Sequence, residues 1–168
     1  MASDVVNNLE AYRKCLNNDK YIQHYSSGNL NETKSAFNSP ASLSDIQNLC
    51  QKKGWTLPDQ YVEFLLYCNG CYLFRDQFGT GFDLLSHKQM DEYHLNYMPK
   101  NWIPICYYVG DYLFIDSDRV DTGKGYLMWH NHEQYFEDPP TIRYEIDFNT
   151  WLERLIIAQG SPFWEWKN

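Results

Sequence analysis

The chain contains 168 residues, a length that suits one domain with a sizeable core and leaves little room for two. Its net charge of −8 disfavours direct binding to nucleic acid, and no apolar run is long enough to span a bilayer. The first residues do not form a basic segment followed by an apolar one, so we expect no secretory signal and a cytoplasmic protein.

The negative charge is concentrated in the second part of the chain. Residues 1–58 carry six lysines and arginines against five acids, whereas residues 59–168 carry eight against 17, so the net charges are +1 and −9. Such an acidic field favours basic partners, although charge also serves solubility alone. Aromatic residues make up 17% of the chain, and tyrosine and tryptophan are good anchors for protein interfaces.

The N-terminal residues predict a helix followed by a connection. The helix begins at Ser3 or Asp4, and its apolar residues recur at steps of three and four, namely Val5, Leu9, Tyr12 and Leu16. The polar, turn-rich stretch 26–41 is predicted to be a long connection without regular structure.

Two further helices are predicted directly after this connection. Ser42 begins the first of them in a capping-box-like pair with Asp45, and Gly54 ends it. The second starts at Pro58 and has an apolar face made of Tyr61, Phe64, Leu65 and Cys68. Cys68 and Cys71 have the spacing of a redox or metal pair, but no second pair completes a zinc site, so we favour reduced structural thiols.

From residue 71 the pattern changes to short strands, with a helix capped by Ser86 and ended by Pro99. The predicted strands are 72–74, 82–85, 102–108, 112–116, 125–130 and 141–146. Asp147 or Asn149 caps a final helix, and the tryptophan-rich tail after Gly160 either packs onto the domain or contacts a partner. Helices, then closely spaced strands, then a helix predict a single α+β domain over residues 1–168.

Two clusters near the fourth and fifth of these strands could bind metal. His130 and His132 would lie on one face of a strand, with Glu133 or Asp116 as a further ligand. Asp116, Asp118 and Asp121 resemble a calcium loop without its order or its terminal glutamate. We favour structural and turn roles for both clusters and assign no metal site, because histidines of this kind are more often packed and Asp is an ordinary turn residue.

Several motifs together carry a resemblance to a known family. They are Leu57-Pro58-x-x-Tyr61-x-x-Phe64-Leu65-x-x-x-Asn69-Gly70, then Trp102-Ile-Pro-Ile105, Gly110-Asp-Tyr-Leu-Phe-Ile-Asp116, Gly125-Tyr-Leu-Met-Trp-His130 and Phe148-x-x-Trp151-Leu152. In this order they resemble the SUKH superfamily, which includes a fungal cell-wall-synthesis regulator and bacterial immunity proteins. The resemblance covers residues 42–156 and leaves an N-terminal helical extension and an aromatic C-terminal tail outside it.

The resemblance implies an α+β fold in which helices pack on a mixed, largely antiparallel sheet that curls around a cleft. It implies no cofactor and no catalytic residues, which fits the absence of a nucleophile elbow or a glycine-rich phosphate loop from this sequence. The family also implies a non-enzymatic protein-binding module, in bacteria most often an immunity protein that neutralises a cognate toxin. The alternatives are a scaffold or regulator of the fungal type and a small metal-dependent hydrolase that uses His130, His132 and the aspartate cluster.

Acidic and aromatic residues near the meander are the predicted partner-binding site, because negative charge and rings suit a basic toxin surface. These residues are Asp111, Tyr112, Asp116, Asp118, Asp121, Trp129, Glu133, Glu137 and Asp138.

Overall fold

The computed structural model describes residues 4–25 and 27–166, which form helices and strands in the predicted α+β order. In chain order the elements are α1 (Asp4–Lys14), β1 (Lys20–His24), β2 (Leu30–Phe37), α2 (Leu43–Lys53), α3 (Asp59–Tyr67), β3 (Cys71–Arg75), β4 (Phe82–Leu84), α4 (His87–Tyr93), β5 (Trp102–Tyr108), β6 (Asp111–Asp116), β7 (Leu127–His130), β8 (Ile142–Tyr144) and α5 (Phe148–Ile157), with 3-10 helices at Ser117–Thr122 and Phe163–Glu165. Ser3, one of the two predicted caps of α1, lies outside the described residues. The α+β fold is confirmed.

The eight described strands form one sheet in which each strand pairs with its neighbour in sequence. All of these pairings are antiparallel, whereas the resemblance implied a mixed, largely antiparallel sheet. The pairing of β2 with β3 shows the physical reason. The two helices between these strands, α2 and α3, bring the chain back to the same end of the sheet at which β2 ends, so β3 runs antiparallel to β2. The Asn38 N–H donates to the Gly70 carbonyl at 3.0 Å and joins the start of this helical segment to its end.

The prediction of a connection without regular structure over residues 26–41 is wrong, because β2 occupies half of this stretch and forms a hairpin with β1. Thr33 and Ser35 are the buried side chains of β2, at 1% and 0% exposure. The Ser35 hydroxyl is 2.7 Å from the Tyr12 hydroxyl and accepts a hydrogen bond from the Phe74 N–H. The Thr33 hydroxyl donates to the Tyr21 carbonyl oxygen at 3.3 Å, so both polar side chains are hydrogen-bonded inside the fold, which permits their burial.

The two faces of the sheet differ in what covers them. On β6, Leu113 and Ile115 point into the main core, to which α1, α3 and α5 contribute, and we call this the helix face. Phe114 points the other way and packs in a smaller cluster with Met98, Trp102 and Met128, which we call the outer face. Side chains that alternate along a strand lie on opposite faces, so Tyr112 also belongs to the outer face.

Helix α3 is tied to the sheet by its buried tyrosine. Tyr61 is 0% exposed, and its hydroxyl donates to the carbonyl oxygens of Leu85 at 2.9 Å and Ile105 at 3.2 Å. Burial raises the pKa of Tyr61 well above its ordinary value, so this hydroxyl stays protonated and continues to donate. The apolar face predicted for the helix after Pro58 is therefore the part of the core that joins the helices to β5.

Helix α4 is shorter than its sequence pattern predicts. Ser86 and Gln89 form a capping box at its start, but the helix ends at Tyr93 rather than just before Pro99. The His94 ring reaches the Pro99 carbonyl, 3.0 Å away, and the segment from 94 to 101 leads into β5 without helical structure. Tyr97 therefore lies in this segment and not on the helix.

The C-terminal segment packs onto the domain, which is one of the two roles predicted for it. The Trp164 ring lies 4.3 Å from the Trp129 ring and 5.9 Å from the Trp151 ring. Gln159 also accepts a hydrogen bond from the His24 N–H at the edge strand β1. Residues 167 and 168 of the tail lie outside the described residues.

Candidate functional site

The nine predicted partner-binding residues are divided between the two ends of β6. The strand is about 17 Å long at 3.4 Å per residue, and its Asp116 end leads directly into the 3-10 helix that carries Asp118 and Asp121. At its other end Asp111 and Tyr112 adjoin the loop formed by residues 131–141, since Tyr112 pairs with His130. Sequence proximity to the meander therefore combined two separate acidic groups into one predicted site.

Asp111 anchors the loop 131–141 to the sheet. Its carboxylate accepts hydrogen bonds from the Trp129 Nε1–H at 3.2 Å and the His132 N–H at 3.0 Å, and it lies 2.6 Å from His132 Nδ1. The hydrogen bond with Asp111 raises the pKa of His132 above its ordinary value. With all of these contacts, Asp111 positions the loop rather than presenting a free carboxylate.

Asp116 and Trp129 are interior residues. Asp116 is 4% exposed and accepts hydrogen bonds from Asn101 Nδ2 at 2.8 Å and Arg143 Nη1 at 3.0 Å, with Arg119 Nε at 3.6 Å. Trp129 is 2% exposed and lies under Trp164. Both therefore support the folded structure, and neither presents its side chain to a partner.

The other acidic residues of the predicted site face solvent. They are Asp118 and Asp121 at one end of β6, and Glu133, Glu137 and Asp138 in the loop 131–141. Among residues 4–25 and 27–166 no ion pair involves any of these five carboxylates. Their charge is therefore available to another molecule.

His130 and His132 do not share a strand face, contrary to the sequence prediction. Strand β7 ends at His130, whose ring is 2% exposed on the outer face and stacks on the Phe136 ring at 4.2 Å. Burial lowers the pKa of His130, whereas His132 lies in the following turn against Asp111. Within the described part of the chain, no three His, Cys, Asp or Glu side chains are arranged to hold a metal ion.

The aspartates after β6 belong to a turn. Residues Ser117–Thr122 form a 3-10 helix that ends at Gly123, whose φ of 70° is a left-handed conformation that glycine adopts without strain. Asp118 and Asp121 point outward from this turn. A role in the turn therefore accounts for the residue types at positions 116–121.

The structure also brings together rings that sequence reasoning did not connect. On the outer face they form a partly exposed layer, which we call the ring surface and define as Tyr93, Tyr97, Tyr107, Tyr112 and Phe136. The Tyr107 and Tyr112 centroids are 5.3 Å apart, and that of Tyr93 is 6.2 Å and 6.4 Å from them. Phe136 joins this group through the buried Phe114, 6.0 Å away, and Tyr97 lies 5.5 Å from Phe136.

Only Tyr112 of the ring surface was among the predicted site residues. The other members come from α4, β5 and two loops, and no spacing in the sequence relates them. The available signal was the alternation of Tyr112, Phe114 and Asp116 along β6, which assigns Tyr112 and Phe114 to one face. Burial raises the pKa of Tyr112, and the nearby hydroxyls of Tyr107, Tyr97 and Tyr93 make smaller contributions in the same direction, which agrees with this grouping.

The five cysteines are free. Cys68, Cys71 and Cys106 are buried, and burial raises the pKa of Cys71 and Cys106 well above the ordinary thiol value. A protonated, inaccessible thiol is a poor nucleophile and a poor metal ligand. These side chains act as small apolar core residues, as the sequence favoured.

Comparison with protein families identifies the family of this chain. The model described as the SMI1 / KNR4 family (SUKH-1) matches residues 40–154. This chain belongs to the SMI1/KNR4 family. The match extends from just before α2 into α5, so the SMI1/KNR4 region contains the main part of the sheet, the ring surface and the loop 131–141, and α1 and the β1–β2 hairpin precede it.

Two bacterial proteins are similar to this chain over most of its length. The uncharacterized protein YnaB of Bacillus subtilis (strain 168) is 31% identical over 130 residues, which are 77% of this chain and 85% of that protein. The uncharacterized protein YobM of the same organism is 33% identical over 136 residues, which are 76% of this chain and 71% of that protein. Within residues 4–25 and 27–166, none of the helices has the length and apolar character needed to cross a bilayer.

Proposed function

We propose that this member of the SMI1/KNR4 family is an immunity protein. It binds a cognate toxin domain in the cytoplasm, covers a basic active site that acts on nucleic acid, and catalyses no reaction itself. Family membership supports a protein-binding role, and the bacterial relatives make a bacterial setting the natural one.

The loop 131–141 is the observation on which this proposal rests. Glu133, Glu137 and Asp138 are exposed there without an ion-pair partner in the described chain, and Asp111 holds the start of the loop in place. Fixed negative charge beside exposed rings attracts a basic protein and lowers the cost of ordering on binding.

The positions of the titratable side chains favour binding over turnover. The imidazole of His130 packs between rings and that of His132 contacts Asp111, so the pair proposed for a hydrolase does not converge. The Asp116 carboxylate is bound by Arg143 and Asn101. The exposed carboxylates of the predicted partner-binding site lie at two ends of a strand rather than in one cleft.

A growth assay with the toxin domain encoded beside this gene tests the proposal. Wild-type protein should restore growth of cells that express the toxin. The triple variant Glu133→Lys/Glu137→Lys/Asp138→Lys should lose protection because it reverses the charge of the loop. Asp118→Lys/Asp121→Lys, which changes exposed carboxylates at the other end of β6, is the matched control and should still protect.

Three results would contradict the proposal or the binding site that it assigns. Equal survival with and without this gene would exclude immunity to that toxin. Protection by the triple variant together with loss of protection by the control would move the binding site to the Ser117–Thr122 end. Stable capture of several host proteins and no toxin would instead favour a regulatory scaffold.

A further inference from the structure

The ring surface has the exposure and the free polar groups of an interaction site. Tyr97 is 65% exposed, and the side chains of Tyr93, Tyr107, Tyr112 and Phe136 are partly exposed. No hydrogen bond to the hydroxyl of any of these four tyrosines occurs within residues 4–25 and 27–166. A partner can therefore use both the ring faces and the hydroxyls.

The same face of the sheet already contains an arginine bound between a ring and a carboxylate. Tyr72 pairs with Asp83 across β3 and β4, and Asp83 pairs with Tyr107 across β4 and β5. The Arg75 guanidinium carbon lies 3.9 Å from the centroid of the Tyr72 ring, and Arg75 also forms an ion pair with Asp83. Guanidinium groups stack well on aromatic rings and bind carboxylates through a planar fork.

This row of residues continues onto the ring surface. Tyr107 is followed by Tyr112, its partner across β5 and β6, so the order across the sheet is Tyr72, Asp83, Tyr107 and Tyr112. The cations that contact rings in the described chain lie over Phe37, Tyr67, Trp55 and Tyr72. Within that part of the chain, the rings of Tyr107 and Tyr112 thus have no cation of their own.

The segments that border the ring surface are acidic. Residues 87–100 and 131–141 together carry five carboxylates and two lysines. Asp91 forms ion pairs with Lys52 and Lys53, so the carboxylates of these segments without an ion-pair partner in the described chain are Glu92, Glu133, Glu137 and Asp138. Glu137 and Asp138 directly follow Phe136 and are exposed. A cation that approaches the rings therefore meets negative charge as well as the negative faces of the aromatic systems.

We propose that the ring surface receives arginine side chains from a basic protein partner, with Tyr107 and Tyr112 stacking on the guanidinium groups. This proposal takes the basic charge of the partner from the proposed function. It adds which surface of this chain binds the partner and which side chain of the partner is recognised. Arginine is favoured over lysine because its planar group is weakly hydrated and stacks on rings.

A titration with a soluble peptide of six arginines separated by glycine and serine tests this inference. Amide shifts in the NMR spectrum of the full chain report the site, and the same peptide with lysines is the matched probe. We expect the largest shifts near Tyr107 and Tyr112 and weaker binding of the lysine peptide. The variant Tyr107→Leu/Tyr112→Leu should bind the arginine peptide about fivefold more weakly, whereas Tyr107→Phe/Tyr112→Phe should retain most of the affinity because it keeps the ring faces.

The controls separate this inference from the proposed function. A dispersed amide spectrum for both double variants shows that they are folded. Unchanged affinity in the leucine variant, equal binding of the two peptides, or shifts centred on Ser117–Thr122 would overturn the ring-surface inference. If the leucine variant still neutralises the toxin, the ring-surface inference is overturned and the immunity proposal is left intact. If the arginine peptide binds at the rings but the wild-type protein does not neutralise the toxin, the inference is supported and the immunity proposal is contradicted.

Discussion

Asp116 and Asp118 are two positions apart and have opposite environments. Asp116 is 4% exposed and is bound by Arg143 and Asn101, whereas Asp118 is exposed on the 3-10 helix. A buried carboxylate with this set of partners stabilises the fold only while the whole set is present, because removing one charge leaves another without compensation.

We therefore expect Asp116→Asn to lower the free energy of unfolding by about 2–4 kcal/mol. Asp118→Asn should change it by less than about 0.5 kcal/mol, because the side chain is exposed and unpaired. Urea unfolding followed by tryptophan fluorescence measures both values. Equal stabilities for the two variants would contradict the structural role of Asp116.

The His132–Asp111 contact predicts a pH effect of definite sign. Because the folded-state pKa of His132 is raised above about 6.5, the contact stabilises the fold fully below that pH and loses its contribution as the pH rises through the folded-state value. Titration of the His132 ring by NMR should show a raised pKa in the wild type and a value closer to 6.5 in Asp111→Asn.

The difference in free energy of unfolding between wild type and Asp111→Asn should accordingly become smaller as the pH rises from acidic to alkaline values. A residual difference should remain, since Asp111 also accepts hydrogen bonds from Trp129 and the His132 N–H. Glu133→Gln is the control, because Glu133 contributes less to the His132 pKa than Asp111 does. An identical His132 pKa in wild type and Asp111→Asn would refute this assignment.

Individual side-chain environments could be predicted only in part from the sequence. Residue types near the meander indicated an acidic, aromatic region, and the exposed Glu133, Glu137 and Asp138 agree with that reading. The burial of Asp116 depends on Asn101 and Arg143, which are distant in sequence, so no local sequence pattern predicts this burial. Charge and ring content thus indicate a kind of surface but not which members of a cluster reach solvent.

At the scale of elements, local chemistry predicts helices better than polar strands. Ser42 caps α2 and Gly54 ends it with a φ of 68°, as the residue types require. The β1–β2 hairpin was missed because Thr33 and Ser35 occupy the buried positions of β2, so the strand shows no apolar alternation. The partners of Ser35, Tyr12 and Phe74, come from other elements and become evident only in the fold.

The junction between α3 and β3 depends on Gly70. Its φ is +86°, and a Cβ atom there would lie 2.8 Å from the Ser86 backbone nitrogen and 3.0 Å from the Leu84 carbonyl oxygen. Gly79 has a similar φ of +84°, but a Cβ there would have no neighbour within 4 Å in the described chain. The two glycines therefore share the backbone conformation and differ in the space around it.

This pair separates backbone strain from steric conflict. We expect Gly79→Ala to lower the free energy of unfolding by about 1–2 kcal/mol through the left-handed conformation alone. Gly70→Ala should lower it by about 1–3 kcal/mol more, because backbone atoms of the β4–α4 junction would have to move. Chemical denaturation gives both values, and equal losses would show that the junction tolerates a side chain.

At the scale of the whole molecule, the two faces of the sheet differ in what they carry, and the recognition role that we propose belongs to the outer face. The helix face carries the main core, including Leu113 and Ile115, and the outer face carries the ring surface. The net charge of −9 over residues 59–168 includes the exposed carboxylates of the loop 131–141. Family membership and the α+β class were predictable from ordered motifs, whereas the ring surface was not, because antiparallel pairing assembles it from distant segments.

Calorimetric titration of the purified chain with the toxin domain encoded beside its gene tests the central claim, that this protein acts by binding a basic partner, most directly. We predict tight binding that weakens by about tenfold or more when the salt concentration rises from about 50 to 500 mM, because exposed charges are screened at that ionic strength. Absence of binding heat at several temperatures, or an affinity that does not change with salt, would contradict the account.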